Sequence, residues 1–531
     1  MSTAPGGLGG PFGGHPAVAR TRRRHMMLAL AMLLIPLVAA MAISLQDAKP
    51  SVLLAVALIV GVVVIVALLA NPRLNVSVSL VIIYLGLLEG PVKLGSGGHE
   101  AASVVRDVLI YGVAAGALLR LLAARQKIRL PPLAGWVLAF GTLVLVEALN
   151  PNTQGLTKAL GGFRQQLEWL PFFFFGYALV RSKRRFRQYF LIVGVLALAN
   201  GAVGTYQSKL SPTQLAGWGP GYKELINGTE EAGTKGGLAA RVYASNGEGH
   251  VRPPALGTDA GFGAGVGVIA LPATLALLAG AALRRRWPIA LLTLGALVGV
   301  ATGLGRLQVV GAVLAVLIFT LLSFSMGRKV TRPLAVIAGV IMLALPAGAL
   351  FVSAVGGNTF SRYESIAPGN VSTETKDTKV QSLEQIPNVI QSDPFGVGLG
   401  SAGAAAGFGG LNQLQGIGAH VVSAETQYNF ILDELGLPGL ILWVALDIRL
   451  MSIGLRGLRR VRDLEVRLYL AALLATFIGL VIMGFSGPST GSAAFGPFYW
   501  STAGIFAYWF IARRPRGAAS PTLGRSVAVP A

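Results

Sequence analysis

Four arginines border apolar segments of this chain, where a permanently charged side chain is costly. They are Arg164 in "LGGFRQQLEWLPFFFFG", Arg252 in "HVRPPALGTDAGFGAG", Arg306 in "ATGLGRLQVVGAVLAV" and Arg362 in "NTFSRYESI". An arginine beside a bilayer must reach the interface or meet an anion, and guanidinium groups match phosphate oxygens bidentately. Together the four predict a phosphate or diphosphate site, although each one alone could simply snorkel to the interface.

Residues 424–443, "AETQYNFILDELGLPGLILW", combine carboxylates with an apolar helix. If the helix starts with this segment, residues four apart share a face. Two polar faces result, formed by Glu425, Asn429 and Asp433 on one side and by Gln427 and Glu434 roughly opposite. The "LGLPG" stretch predicts a kink in the middle of the helix, because proline removes one backbone hydrogen bond.

Glu425 is the candidate proton acceptor, since it would lie at the mouth of this helix on the side of the arginines. An alternative is that Glu425 is a helix-start carboxylate favoured by the helix dipole. In that alternative Asp433 and Glu434, about two turns deeper, pair with an arginine such as Arg106. Both interpretations remain open from the residues alone.

The sequence excludes several other chemistries. It contains no cysteine, which excludes disulfides, thiolate catalysis and zinc-thiolate sites. The five histidines are scattered, and no cluster of His, Asp and Glu has metal-ligand spacing. We therefore expect neither a metal nor another cofactor.

The elements that must position these residues are membrane helices. Hydrophobic residues make up 53% of the 531 positions and charged residues only 12%, which is too apolar for a soluble multidomain protein. Apolar runs of roughly 17 to 25 residues recur about 14 times, each long enough to cross a bilayer as a helix. They begin near Met26, Ser51, Asn75, Ala102, Pro131, Gln165, Gln188, Thr258, Trp287, Arg306, Pro333, Ala424, Leu468 and Ala494. The predicted fold is an all-α polytopic transmembrane bundle of about 12 to 14 helices.

The distribution of basic residues predicts the orientation. With both termini in the cytoplasm, most of the 44 lysines and arginines fall in inside loops, where the acids are only Asp447, Asp463 and Glu465. The formal charge of +22 is then explained by topology, and a nucleic-acid partner is not expected. Two long loops, 208–257 and 356–423, fall outside, and loops of that length are usually functional or disordered.

This threading predicts seven segments. They are a disordered cytoplasmic N-terminus (1–25), N-terminal membrane helices (26–207), an exterior loop (208–257), central membrane helices (258–355), a large exterior loop (356–423), C-terminal membrane helices (424–512) and a disordered cytoplasmic tail (513–531).

Three segments resemble, in order, the sequence blocks of the O-antigen ligase and O-antigen polymerase superfamily. They are "RPPALGTDAGFGAG", "GLGRLQVVGAVLAV" and "SDPFGVGLGSAG", the last followed by a polar loop and "AETQYNFILDELGLPGLILW". The resemblance covers roughly residues 160–490. It implies an integral-membrane glycosyltransferase of the cytoplasmic membrane, with its active site outside and 356–423 as its catalytic loop.

The resemblance also implies the substrates and the roles of individual residues. The donor would be an oligosaccharide on a polyprenyl diphosphate, the acceptor a glycan or lipid, and neither metal nor nucleotide would be used. The diphosphate would bind Arg306, and with less support Arg252, Arg164 and Arg362. Glu425 would act as the base in a single inverting displacement. The predicted supporting residues are Gln427, Tyr428, His420 and Asp433.

The match departs from the ligase branch at one position. That branch usually has a histidine where this chain has Glu425, and the chain reads Glu-Thr-Gln-Tyr instead. The departure favours the polymerase-like branch, in which glutamate often stands there. His420, five residues upstream, could in principle replace the missing histidine.

Two other classes of protein fit part of the pattern. A secondary transporter of an envelope precursor would explain the intramembrane acids and Arg106-Asp107, although no repeated half is visible. A non-catalytic partner in cell-envelope assembly would explain the helices without requiring a reaction. Dependence on a proton gradient would indicate the transporter, and activity that survives changes at Arg306 and Glu425 together would indicate the non-catalytic partner.

Overall fold

The structure is a computed structural model, and it is mostly helical. It describes residues 74–95, 100–125, 129–153, 155–227, 242–245, 248–280, 286–324, 326, 339, 380–403 and 426–513. The helices predicted near Met26, Ser51 and Pro333 lie outside these residues, as does most of the predicted exterior loop 356–423.

The helices in the first half of the chain are numbered in order. They are α1 (Leu74–Leu87), α2 (Glu89–Gly95), α3 (Glu100–Ala123), α4 (Ala134–Glu147), α5 (Gly155–Leu167), α6 (Pro171–Leu179), α7 (Lys183–Gln207), α8 (Pro212–Ala216) and α9 (Pro220–Asn227). A short antiparallel hairpin follows, formed by β1 (Val242–Ser245) and β2 (Glu248–Val251), with Val242 opposite Val251.

The remaining described elements are again helices. They are α10 (Phe262–Gly280), α11 (Arg286–Thr302), α12 (Arg306–Phe324), α13 (Gln381–Glu384), α14 (Ile386–Ser392), α15 (Gln427–Leu458), α16 (Leu464–Met483) and α17 (Gly496–Phe506). A π-helical turn, Ala507–Ala512, extends α17.

Four of these helices, α7, α10, α12 and α16, are long and apolar enough to cross a membrane. A fifth span results if α1 and α2, which are bent by 48° at Leu88, count as one. The prediction of a helical membrane protein is therefore confirmed at this level. The hairpin is a local departure from the expected all-α fold.

Close contacts between small residues hold the central helices together. A β-carbon added at Gly201 of α7 would clash with the carbonyl oxygen of Gly295 in α11. A β-carbon at Gly267 of α10 would lie 2.6 Å from the carbonyl oxygen of Ala296, also in α11. Small residues let helix backbones approach closely, as is common in membrane bundles. Because Gly194 lies beside Leu292 and Gly204 beside Thr302, α11 runs parallel to α7, and the end of α11 lies beside the end of α7.

The turn that precedes α10 is held at the end of α7 by side-chain amides. Gln207 donates to the carbonyl oxygen of Ala255 (3.0 Å) and accepts from its N–H (2.8 Å). Asn200 donates to the carbonyl oxygen of Gly86 (2.9 Å) and accepts from the N–H of Leu256 (3.1 Å). The end of α1, the end of α7 and the start of α10 therefore meet.

The same end of the bundle includes the starts of α12 and α15. Immediately after α11, α12 begins, and Leu307 in its first turn lies beside Gly487, in the segment that follows α16. The N–H of Gln427, the first residue of α15, donates to the carbonyl oxygen of Gly484 (2.8 Å). We call this end of the bundle, where α7 and α16 end and α10, α12 and α15 begin, the polar end.

One predicted span is wrong. The run that begins near Gln165 does not form a single helix, because α5 ends at Leu167 and α6 begins at Pro171. Proline is favoured in the first turn of a helix and disfavoured in its interior, so Pro171 separates the two. The first of these helices is consequently short and polar, and the second has only nine residues.

A small unit with its own apolar core lies beside the polar end, formed by Leu94 of α2 and by residues of the predicted exterior loop 208–257. Its core is formed by Leu94, Leu215, Tyr222, Leu225, Ile226 and Val251. Ser211 and Gln214 form a capping box at the start of α8. The described part of this loop is thus folded around buried side chains.

Candidate functional site

Helix α15 is broken where the sequence predicts a kink, and a glycine-rich segment fills the break. Gly436 has φ 62° and ψ −168°, a conformation that residues with a side chain rarely adopt. As a result the N–H of Leu437 donates to the carbonyl oxygen of Pro394 (2.8 Å). The carbonyl oxygen of Asp433, freed by the same break, accepts from the N–H of Val397 (2.7 Å). Residues 394–397 therefore pair with the break much as one strand pairs with another.

The Glu434 side chain holds the next part of this segment. Its carboxylate accepts from the amide of Gln166 (2.7 Å) and, less closely, from that of Gln165 (3.3 Å). It also accepts from the backbone N–H groups of Gly400 (3.1 Å) and Ala402 (3.4 Å). Glu434 is fully buried, its hydrogen bonds come from neutral donors, and Lys158 of α5 is within electrostatic range of its charge. The carboxylate thereby joins α5, the glycine-rich segment and α15.

Close backbone approach explains why the segment is rich in glycine. A β-carbon at Gly400 would clash with the carbonyl oxygen of Lys158 in α5. From the other side, a β-carbon at Gly162 would clash with the backbone nitrogen of Gly400. The segment "SDPFGVGLGSAG" therefore lies directly on α5, the helix that includes Arg164.

The start of α15 is capped and buried. Thr426 is the N-cap, and its hydroxyl accepts from the N–H of Asn429 (3.1 Å). The side-chain amide of Asn429 donates to the carbonyl oxygen of Ser382 (2.8 Å), which anchors α13. The side-chain oxygen of Gln427 accepts from the N–H of Thr490 (3.0 Å), and the hydroxyl of Tyr428 donates to the carbonyl oxygen of Val481 (3.1 Å). The predicted helix start near Ala424 is thus shifted to Gln427.

A dense set of ion pairs, which we call the buried cluster, joins α2, α3 and the end of α5. Its members are Glu89, Arg106, Asp107, Arg164 and Glu168. Arg106 contacts Glu89 (2.6 Å), Glu168, and more distantly Asp107 (3.7 Å), while Arg164 contacts Asp107 (2.7 Å). Glu89 and Glu168 are almost completely buried, whereas Arg164 remains 26% exposed. The cluster therefore satisfies most of its charge internally.

Two more side chains complete the surroundings of Arg106. Its guanidinium carbon lies 5.1 Å from the centroid of the Trp169 ring, within the range of a cation–π contact. Lys93 in α2 is within electrostatic range of Arg106, Arg164, Glu89 and Glu168. With Lys93 included, three cations face three carboxylates.

The buried cluster lies at the polar end. Gly90, adjacent to Glu89, is in close contact with the backbone of Gly257, in the turn before α10. Trp169, adjacent to Glu168, is in close contact with Gly496 at the start of α17. Ion pairs, the broken helix and the helix starts thus share one end of the bundle.

The other predicted arginines have different environments. Arg306 is the first residue of α12 and follows Leu304, which has φ 50°. Arg252 follows the hairpin, and its neighbour Val251 belongs to the core of the small unit. Both lie at the polar end with Arg164. Arg362 lies outside the described residues.

Two residues predicted to take part in the reaction, Glu425 and His420, also lie outside the described residues. Glu425 directly precedes the N-cap Thr426 in sequence. Asp433, predicted as a supporting residue, is 4% exposed, and its two carboxylate oxygens form no hydrogen bond within the described part of the chain. This buried carboxylate lies one turn before the helix break.

The expectation that Asp433 and Glu434 pair with an arginine such as Arg106 is wrong. Arg106 pairs with Glu89, Glu168 and Asp107, and Glu434 binds amides. The physical reason is that α15 packs against α5 at Gln165 and Gln166. The amides of these two residues, and not the Arg106 guanidinium, therefore reach the Glu434 carboxylate. Periodicity along α15 defines a polar face without revealing which partner that face meets.

Sequence reasoning also missed or misplaced several buried acids. Glu168 follows Arg164 at four-residue spacing, a pattern that indicates two neighbouring charges on one helix face. No nearby residue in the sequence indicates a partner for Glu89. Asp447, assigned by the charge pattern to an inside loop, lies within α15 at 3% exposure. The hydroxyl of Tyr499 donates to its carboxylate (2.6 Å). A lone acid in an apolar run indicates burial only when its partner, here an aromatic hydroxyl on α17, is known.

Comparisons with family models, with curated proteins and with solved structures gave no match for this chain. Among the described residues, no group of three His, Asp or Glu side chains could hold a metal ion. The arrangement offers helix starts and arginines for an anion, together with buried carboxylates that orient the backbone around them.

Proposed function

We propose that the chain is a membrane glycosyltransferase that polymerises or ligates a surface glycan from a polyprenyl-diphosphate-linked oligosaccharide. It would act on the outer face of the cytoplasmic membrane, in a bundle of about 12 to 14 helices with both termini in the cytoplasm. The observation that supports the proposal best is the docking of "SDPFGVGLGSAG" against α5 and the broken α15, at the same end as Arg164, Arg252 and Arg306.

The reaction requires two kinds of group. A sugar hydroxyl attacks the anomeric carbon, the bond from that carbon to the diphosphate oxygen breaks, and the diphosphate leaves with the bonding electrons. Arg306, the first residue of α12, would stabilise that charge together with the positive end of the helix dipole. Glu425, next to the N-cap of α15, would accept the hydroxyl proton.

The arginines are not equivalent in this proposal. Arg164 already contacts Asp107 at 2.7 Å, so a diphosphate would have to compete with that carboxylate. Arg306 is the strongest candidate, because it begins a spanning helix whose N-terminal N–H groups lack partners within the helix. Arg164 would then contribute only after it exchanges Asp107 for phosphate oxygens.

The test is turnover by the purified chain with a polyprenyl-diphosphate oligosaccharide, comparing the unmodified protein with Arg306→Ala and Glu425→Gln. Arg459→Ala is the matched control, since Arg459 caps the far end of α15 and is exposed. We expect both site variants to lose product while the control retains it, and product length to separate polymerisation from ligation. Full turnover in both site variants would reject this site, whereas no turnover even by the unmodified chain would reject the transferase.

One observation favours the transporter as a second candidate. The buried cluster places several ionisable groups inside a membrane bundle, which is typical of proton-coupled carriers. Uptake or release of an envelope precursor by proteoliposomes, with and without a proton gradient, tests this candidate. Gradient-dependent transport without any glycosyl transfer would replace the proposal above.

A further inference from the structure

Two exposed aromatic rings form a platform beside the polar end. Tyr206, in the last turn of α7, stacks on Trp218, which follows α8, with ring centroids 6.0 Å apart and planes inclined by 25°. Tyr206 is 59% exposed and Trp218 is 41% exposed. We call this pair the aromatic platform. Large aromatic side chains left in contact with solvent lose the benefit of burial, so such a pair commonly marks a binding surface.

The platform is rigidly supported. Trp218 makes an edge contact with Tyr222 (5.6 Å between centroids), and Tyr222 belongs to the core of the small unit. Tyr206 directly precedes Gln207, whose side-chain amide holds the turn before α10. Both rings are thus fixed before any ligand arrives, which lowers the entropic cost of binding.

The platform also lies close to the cations of the polar end. Gly219, next to Trp218, lies beside Gly95, two residues after Lys93 at the end of α2. Val251, next to Arg252, packs in the same small core as Tyr222. A ligand with both an anionic group and an extended neutral part could therefore contact the cations and the rings at once.

We propose that the aromatic platform of Tyr206 and Trp218 binds a pyranose ring of an oligosaccharide. The C–H groups on one face of a pyranose are apolar and complement the electron-rich face of an aromatic ring, while its hydroxyl groups remain in water. The alternative occupant is the bilayer interface, where tyrosine and tryptophan are also enriched. The small unit favours the glycan, because the segments beside Trp218 are polar and include Ser211, Thr213 and Gln214.

The choice of a glycan rests on the proposed function, but its test does not require turnover. The full chain in nanodiscs is titrated with pentasaccharides of glucose, mannose, galactose and N-acetylglucosamine, followed by saturation-transfer difference NMR. We expect Trp218→Ala and Tyr206→Ala to weaken the best-binding probe about ten-fold, the loss expected for one aromatic contact. Trp218→Phe should retain most of the affinity.

Two controls separate stacking from simple apolarity and from non-specific binding. Trp218→Leu remains apolar but has no ring, so it should bind as weakly as Trp218→Ala. Trp287→Ala removes a tryptophan that is 74% exposed at the start of α11, at the opposite end of the bundle, and should bind as the unmodified chain does. Since Trp218→Ala could disturb the small unit, Tyr206→Ala serves as the second, more exposed site.

Three outcomes overturn the proposal: no saturable binding of any probe to the unmodified chain, unchanged affinity in both alanine variants, or native affinity in Trp218→Leu, which would show that the ring does not stack on the sugar. Binding without turnover would retain the platform and reject the transferase. Turnover together with unchanged affinity in both alanine variants would retain the transferase and reject the platform.

Discussion

Two groups of ion pairs lie near opposite ends of α7, and they differ sharply in burial. The buried cluster lies near its end at Gln207, and its acids Glu89 and Glu168 are 2% and 6% exposed. The second group lies at the start of α7, where Lys183 is 45% exposed. We call this group the surface cluster, and its members are Lys183, Arg187, Asp463 and Glu465.

The comparison shows that similar contacts have different consequences. An exposed ion pair contributes at most about 1 kcal/mol, because water already stabilises both charges. A buried pair must offset several kcal/mol of desolvation per ion, and removing one partner leaves a charge without compensation. The surface cluster is explained by the excess of basic residues in one loop region. The buried cluster has no such explanation, so we interpret it as part of the functional site.

The largest expected effect is at the centre of the buried cluster. Arg106→Ala leaves Glu89 and Glu168 buried without their cation, and we expect a loss of about 3 to 5 kcal/mol of stability. Arg187→Ala, which removes one partner of the surface cluster, should cost less than about 1 kcal/mol. Thermal unfolding in the same detergent measures both, and equal losses would remove the distinction between the clusters.

The next effect concerns Glu434, a buried acid whose hydrogen bonds come from neutral groups. Glu434→Gln replaces an acceptor oxygen by an NH2 group that would face the N–H of Gly400 or the amide of Gln166. We expect it to cost about 1 to 3 kcal/mol and to reduce turnover through the position of residues 394–403. Glu465→Gln in the surface cluster is the control. If Glu434→Gln and Glu465→Gln lose the same amount of stability, Glu434 does not hold residues 394–403 in place.

A smaller effect tests whether the buried cluster exchanges partners with a ligand. Asp107→Asn removes the carboxylate that competes for Arg164, so the KM for the diphosphate donor should fall about two- to ten-fold, up to about 1.4 kcal/mol. Arg164→Ala should raise the KM for the same donor. A rise in KM for Asp107→Asn would mean instead that Asp107 positions Arg164 for binding.

The sequence predicts some parts of this structure well, for identifiable reasons. The class of fold follows from long apolar runs, and the break in α15 follows from Gly436 and Pro438, because both features are local. The partners of Arg106 could not be predicted, since Glu89 is 17 residues away and Glu168 lies in the turn between α5 and α6. Helical periodicity gives the face of a residue, whereas the element packed on that face depends on tertiary structure.

The candidate site also contains features that the sequence predicts and contacts that only the tertiary structure reveals. The arginines and "SDPFGVGLGSAG" were recognisable from composition and order, but the role of Glu434 depends on α5 lying against α15. Gly400 and Gly162 mark that contact only once both backbones are placed. Asp447 shows the converse, since charge alone assigned it to a loop and its hydrogen bond from Tyr499 places it in the core.

The smallest expected effect is pH-dependent and belongs to the surface cluster. The N–H of Val466 and the nearby Lys183 hold the pKa of Asp463, the N-cap of α16, below its usual value of 3.8. Because the folded pKa is the lower one, this stabilisation is complete above the unfolded pKa and is lost as the pH falls through the folded pKa. Asp463→Asn keeps the cap without the charge, so its difference in Tm from the unmodified chain should shrink as the pH falls below about 4 and vanish only below the folded pKa of Asp463. Asp463→Ala should lose about 1 kcal/mol at neutral pH. A difference between Asp463→Asn and the unmodified chain that persists unchanged in acid would show that the side chain acts here by shape and not by charge.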